Sequence, residues 1–342
     1  MLATTSEKSG GRGPLRMGTT AGPVPHLFAD TYYMKLIQKI RRLLTEPLQA
    51  QITQVQEQLR QAKEDNEATK LVIGASLAKL TRQATSMKEA EFKVFSQFGD
   101  DGIIQYLIGF VKPRVDTFVE FGVEDFEEAN TRFLLMNDNW KGLLIDGSST
   151  FIDYIKTRSF YWRYSLKAVA SFVTAENINQ LLADHGITGQ IGLLSIDIDG
   201  NDYWVWKAIT VVEADIVVIE YNSLFGSDRA ITVPYQPNFM RQQAHYSYLY
   251  FGASLPALYD LALEKGYAFV GCNQAGNNAY FVRKEKLNGL PALSIREGYV
   301  YSRFRENRNQ AGVMSFLDGV DRRVLIEGLP VINTQTGKEE YL

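Results

Sequence analysis

One cysteine, Cys272, stands in a chain of 342 residues. Without a second thiol there is no internal disulfide framework, and the usage fits a reducing compartment. Only three histidines occur, His26, His185 and His245, which argues against a histidine-rich metal cage. No apolar run approaches the roughly 18 residues of a membrane span, and the N-terminus lacks the apolar core of a signal peptide. A cytoplasmic location is the expectation. Charge of one sign is also missing: 36 basic against 39 acidic residues leave a net −3, which gives no overall attraction to polyphosphate. Nucleic acid is therefore not an expected partner.

What is present is apolar and aromatic: 45% hydrophobic and 12% aromatic residues suffice for one large core with length left over. Residues 1–30 are rich in Gly, Ser, Thr and Pro and read as a disordered tail, because they have little to bury against the entropy of ordering. Residues 31–90 read as helix. From Thr31 to Leu44, Tyr33, Leu36, Ile37, Ile40 and Leu44 share a face bordered by Lys35, Lys39, Arg41 and Arg42, a pattern open to packing on protein or to peripheral contact with an anionic membrane through residues 31–44. From Leu48 a four-three spacing runs through Ile52, Val55, Leu59, Ala62, Asn66, Thr69, Ile73, Ser76 and Leu80. That is a coiled-coil seam with a polar middle, in which Asn66 would fix register. It predicts a homo-oligomer; the alternative is a helix lying across its own domain.

Residues 91–342 alternate strand and helix. Thr117–Gly122, Trp140–Gly147, a weak strand near Lys167–Val169, Ile191–Asp197 and Asp215–Asn222 are separated by helical stretches, including Glu127–Met136 and Ala175–Asp184. This spacing predicts repeated βαβ units, hence a doubly wound, mostly parallel α/β sheet. The runs at Tyr267–Asn273 and Asn278–Val282 read as an antiparallel terminal hairpin. A long aromatic loop through Pro234 and Tyr250 has the character of a site cover. The tail after Leu287 shows weak periodicity. Asp202 reads as a helix N-cap, and Tyr203, Trp204 and Trp206 behind it read mostly as core.

The strand ends carry the chemistry. Glu120 followed by Gly122 ends the first strand, Asp146-Gly147 the second, Asp197-Ile198-Asp199-Gly200 the fourth, and Glu220-Tyr221-Asn222 the fifth. In such sheets ligands bind at this carboxyl edge. Neither Gly-x-Gly-x-x-Gly nor Gly-x-x-x-x-Gly-Lys follows the first strand, so cofactors held by pyrophosphate are disfavoured, and an adenosyl ligand whose ribose meets Asp146 fits better. Each carboxylate alone is equally readable as a solvated strand end.

The series Phe118-Val119-Glu120-Phe121-Gly122, Leu144-Ile145-Asp146-Gly147 and Ser195-Ile196-Asp197-Ile198-Asp199-Gly200 resembles the FkbM-type S-adenosylmethionine-dependent methyltransferases over roughly residues 95–284. It departs from them at Gly122-Val123-Glu124-Asp125. The resemblance implies a Rossmann-like methyltransferase fold and S-adenosyl-L-methionine as cofactor, with transfer of methyl to a hydroxyl of a sugar, glycan or glycosylated small molecule. On this reading Glu120, Gly122, Asp146, Gly147 and Asp197 hold the cofactor, and Asp199 and His245 are the catalytic candidates. Asp197, Glu220 and Asn222 are a candidate set for Mg²⁺ or another divalent cation, since hard oxygen ligands suit it. A nucleotide-sugar-modifying enzyme and a non-catalytic scaffold with a degenerate methyltransferase fold are the alternatives.

Overall fold

A computed structural model describes residues 26–342, with side chains from Tyr32 onward. Most of the tail expected at 1–30 lies outside them; its last positions are helical. The chain divides into two compact units, residues 1–66 and Glu67–Leu342.

In chain order the helices are α1 (His26–Leu80), α2 (Met87–Ala90), α3 (Asp100–Val111), α4 (Arg132–Asn137), α5 (Ser149–Thr157), α6 (Ser159–Arg163), α7 (Ile178–Asp184), α8 (Asp202–Ala208), α9 (Arg241–Ala244), α10 (Leu255–Glu264), α11 (Ile295–Gly298) and α12 (Gly319–Val324). The strands are β1 (Thr117–Phe121), β2 (Lys141–Asp146), β3 (Leu166–Ala170), β4 (Gly189–Ile196), β5 (Val212–Glu220), β6 (Ile231–Thr232), β7 (Tyr267–Cys272), β8 (Asn278–Arg283), β9 (Pro330–Asn333) and β10 (Glu339–Tyr341). Where a separate amphipathic helix and coiled coil were expected, α1 is one helix of 55 residues that runs through Pro47. Proline there has no N–H to give the carbonyl of Leu43.

The second unit is built on a seven-stranded sheet of order β3-β2-β1-β4-β5-β8-β7. Strands β1 to β5 are parallel, and β8 and β7 join antiparallel. The α/β class, the weak third strand and the terminal hairpin are as expected. Branched and aromatic residues make the five parallel strands, and their period-two alternation sends Val119, Phe121, Leu143, Ile145, Leu194, Ile196, Val217 and Ile219 into one layer with Leu182 of α7, Val205 of α8 and Leu258 of α10. Phe118, Leu144, Leu193, Ile216 and Val218 enter the opposite layer with Leu107 of α3, Leu134 of α4 and Ile152 of α5.

Three local expectations are corrected. The helix expected over Glu127–Met136 starts at Arg132, because Glu120 draws the preceding backbone into a loop by accepting from the N–H groups of Asn130 and Thr131. Asp202 is the first residue of α8, and its carboxylate accepts from the backbone of Ile198 and Gly200, tying the preceding turn instead of capping the helix. The tail after Leu287 also holds more order than its pattern suggested: β10 pairs with β9, and β9 with β6, in a small antiparallel sheet. Tyr203 and Trp206 are core, as expected, while Trp204 is half-buried and donates to the Val233 carbonyl.

Candidate active site

Chain order fixes where the site lies. From β1 the sheet grows one way through β2 and β3 and the other way through β4 and β5, so the crossovers diverge and leave a crevice beyond the carboxyl ends of β1 and β4. A cavity of about 790 Å³ occupies this edge. Among its walls are Glu120, Gly122, Glu124, Asp146, Gly147, Phe172, Asp197, Asp199, Asn201, Glu220, Arg241 and Asn278. Of the nine residues picked out from sequence, Glu120, Gly122, Asp146, Gly147, Asp197, Asp199 and Glu220 line it; Asn222 and His245 do not.

On the β1–β2 side, Gly122 has φ +71°, and a Cβ there would come within 1.6 Å of the Asp197 carbonyl oxygen. Only glycine lets the ends of β1 and β4 approach this closely. Glu124 and Phe126 follow, both with positive φ, a costly conformation for side chains of that size. The loop is pinned by Asp146, whose Oδ2 accepts from Glu124 N (2.9 Å) and Oδ1 from Ser148 N (2.7 Å). A carboxylate has about four acceptor sites, so two remain for a ligand's hydroxyls. Beside Gly147 the Phe172 ring is about half exposed, a flat apolar wall. Glu120 plays a different part from the one expected. Its oxygens accept from Asn130 N, Thr131 N, Thr131 Oγ1 and Ser195 Oγ, so it holds the 130–131 loop and has little left for a cofactor. Burial raises its pKa against these hydrogen bonds.

On the β4–β5 side, carboxylate oxygens of Asp197, Asp199 and Glu220 all lie within 4.8 Å of one another. Asp199 sits at φ +55° and accepts from Arg241 Nη1 at 2.7 Å. Arg241 is further fixed by donating to the Tyr248 carbonyl and by lying 4.2 Å over the Phe251 ring. Burial works against its charge, but Asp199 and Glu220 more than offset that, and its pKa is raised. Burial first, then the charges of Asp199 and Asp202, hold the Asp197 carboxyl well above the usual range. Burial, then Asp197 and Asp199, do the same for Glu220. Glu220 Oε2 is buried without a hydrogen-bond partner. Asn278 Oδ1 and Asn201 Oδ1 are likewise buried and unpartnered, although the amide nitrogens are engaged by Asp100 and the Gln236 carbonyl. Asn278 faces Glu220 directly across the β5–β8 ladder.

Two sequence-based candidates leave the site. Asn222 accepts from Leu224 N and donates to the carbonyls of Leu249 and Phe251, so its amide is spent on holding the aromatic loop and is not free to ligate a cation. His245 is held by Ser247 at 2.7 Å and packed on Tyr246, with its pKa lowered by burial. The aromatic loop does cover the site, through Phe239, Met240, Arg241 and Tyr248. Arg241, Asn201 and Asn278 were missed. Asn278 opens a strand that was recognised, which offered a weak signal, whereas nothing in the local pattern marks Arg241.

No protein-family model matches this chain, and no curated protein does. Among solved structures it is similar to the N-terminal domain of EvdMO1 with SAH bound, at 9% identity over 60% of this chain and 94% of that one, TM-score 0.36. It is also similar to the O-methyltransferase from Bacillus cereus in complex with SAH, at 14% identity over 64% and 91%, TM-score 0.36. A third is a putative caffeoyl-CoA O-methyltransferase from Staphylococcus aureus, at 13% identity over 54% and 82%, TM-score 0.34. At these scores the likeness carries no functional argument. Strand order and side chains have to carry it.

Proposed function

We propose that the protein is an S-adenosyl-L-methionine-dependent O-methyltransferase whose acceptor is a hydroxyl of a sugar, glycan or glycosylated small molecule. The observation that carries the reading is the division of one switch-point cavity into two unlike halves. Asp146, with spare acceptor sites, and the open Phe172 ring suit a ribose and an adenine. Asp197 and Glu220 form a crowded acidic pair: burial, then Asp199 and Asp202, hold the Asp197 carboxyl high, and burial, then Asp197 and Asp199, do the same for Glu220. The residues fit the cofactor in sign as well, since an acidic wall favours a cationic ligand.

When bound, the cofactor supplies an electrophilic methyl on a sulfonium. The chain's residues do the rest. The acceptor oxygen needs to lose its proton as the new C–O bond forms and the C–S bond breaks; a carboxylate with raised pKa is a base suited to neutral pH. Asp197 and Glu220 are those bases, and Arg241 holds Asp199 beside them. The unpartnered oxygens of Glu220, Asn278 and Asn201 ask for donors, which a polyhydroxylated acceptor provides. Holding two reactants in this way is itself a large part of catalysis.

A second reading concerns a cation. The carboxylates of Asp197, Asp199 and Glu220 fit Mg²⁺ or a similar ion, with the orphaned Oε2 of Glu220 as the fitting observation. Such an ion would lower the acceptor hydroxyl's pKa. Calorimetry with SAH tests the main reading: saturable binding is expected, and no heat and no thermal shift at millimolar ligand would overturn it. Stabilisation by a nucleoside diphosphate instead would favour a nucleotide-sugar enzyme. Activity unchanged by EDTA would remove the cation.

A further inference from the structure

The first unit carries a row of large apolar side chains that are exposed among the described residues. Tyr33, Ile37, Ile40, Leu44, Leu48, Ile52, Val55 and Leu59 are all large and apolar, and their exposure runs from 41% at Ile52 to 71% at Leu44. They form a single stripe. At about 100° per residue, Tyr33 and Ala62 return to within roughly 20° of each other after about eight turns.

Within the second unit, the end of α1 shows which side of the helix its own domain uses. Leu71 and Ala78 pack with Val94, Phe95 and Phe133. Gly74 lies so close that a Cβ would meet Val94 Cγ2 at 2.6 Å and Phe133 Cε2 at 2.7 Å. Glu67 completes that face by pairing with Arg132 (3.0 Å) and Arg158 (3.1 Å). The seam positions Ile73 and Leu80 stay 55% and 57% exposed. By helical geometry the docked face and the seam are on the order of 150° apart. The helix is thus two-sided, and the reading of the seam as a contact to the chain's own domain fails for this segment.

We infer that the seam binds a second copy of the same chain in a parallel, in-register, two-stranded coiled coil. Charge and polarity select this occupant. In the four-three spacing Asn66 is a seam residue, and an asparagine there pairs with its counterpart and specifies register and strand number. Asp65 and Lys70 flank the seam at positions that face each other between parallel in-register helices, opposite in sign. Of the remaining flanks, Gln49, Gln51, Gln56 and Gln58 are neutral amides and Val72 and Leu77 are apolar, while Lys63 comes opposite Gln58 and Lys79 opposite Ala84, so identical copies set no like charges against each other. An anionic membrane is the poorer fit, because from residue 46 to 66 the acids Glu46, Glu57, Glu64 and Asp65 outnumber Arg60 and Lys63.

The test is sedimentation equilibrium of the full chain from submicromolar to tens of micromolar. A mass twice the chain's 38.6 kDa is expected, falling on dilution. The double variant Ile52→Lys/Leu59→Lys changes only exposed side chains and is expected to be monomeric, with the thermal unfolding of the rest unaltered. Ile52→Cys and Ile73→Cys, each in a Cys272→Ser background, are both expected to form a disulfide-linked dimer on oxidation; an antiparallel pair would link at most one of them. A monomeric wild type, a double variant that keeps the double mass, or linkage at only one cysteine overturns the inference. So does a monomer that co-sediments with phosphatidylserine-containing vesicles, which would transfer the stripe to a membrane.

Discussion

Replacing Glu220 by Gln tests the electrostatics of the site most directly, because stability and activity should move in opposite directions. Two ionised carboxylates with oxygens within 4.8 Å of each other repel by at least about 3.5 kcal/mol at an effective dielectric constant of roughly 20. Removing one charge relieves that and the burial cost of Glu220, while losing the attraction of Arg241. The new amide can donate to Asp197, so its own desolvation is partly offset. A net stabilisation of about 2 kcal/mol at pH 8 follows, roughly 5 °C in Tm for a domain of this size. The sign with pH is fixed by linkage. Glu220 and Asp197 are raised in the folded state, so the folded protein binds more protons than the unfolded chain from the usual carboxylate range up to the raised values. Wild-type stability therefore falls as pH rises through that window, and the variant's curve is flatter; near pH 4 the two converge. Denaturant unfolding in EDTA between pH 4 and 8 measures this, and methyl transfer should fall at least a hundredfold with loss of a base. A variant less stable than wild type at pH 8, with the same pH slope, would refute the reasoning.

Other substitutions separate the two halves of the cavity. Asp146→Ala should weaken SAH binding roughly a hundredfold by calorimetry, through lost charge-assisted bonds to the ribose and a loosened Glu124 loop. Arg241→Lys should lower kcat/KM roughly tenfold in a radiometric assay, because an ammonium cannot stack on Phe251 while also serving Asp199 and the Tyr248 carbonyl. His245→Ala should change kcat by less than about threefold, whereas a catalytic base would cost a hundredfold or more. Arg132→Met should destabilise by about 1–3 kcal/mol in urea unfolding, since Glu67 and Glu127 lose the buried guanidinium they share while each keeps its pairing with Arg158.

The sheet was legible because its signal is local. All of the parallel strands but β3 are short branched or aromatic runs closed by an acidic residue, and helix and strand alternate at a βαβ pace. Asp146, Asp197 and Glu220 reach the cavity wall by the same logic, as strand-end residues whose neighbours in space follow from strand order. Residues whose roles depend on loops were misread. Glu120 shares the strand-end signature of Asp146, but the loop at Asn130 and Thr131 folds back and takes up its oxygens. Asn222 is claimed by carbonyls 27 and 29 residues away. Neither contact leaves a mark within a few residues of the side chain that makes it.

The aromatic loop shows why a covering segment resists sequence reading even when its existence does not. Its length and composition announce a lid, and the obvious titratable group in it is His245. The chemistry at the cavity asks instead for positive charge: three carboxylates within 4.8 Å are tolerable only with protons, a cation or a guanidinium beside them. Arg241 supplies the last, fastened by the Tyr248 carbonyl and the Phe251 face. A search for the complement of the acidic strand ends, and not for a conventional base, would have led to Arg241. The same reasoning explains the division of labour around Asp199. Its Oδ1 holds Arg241, which leaves Asp197 and Glu220 as the carboxyls without a donor and so as the pair available to an acceptor's proton or to an ion.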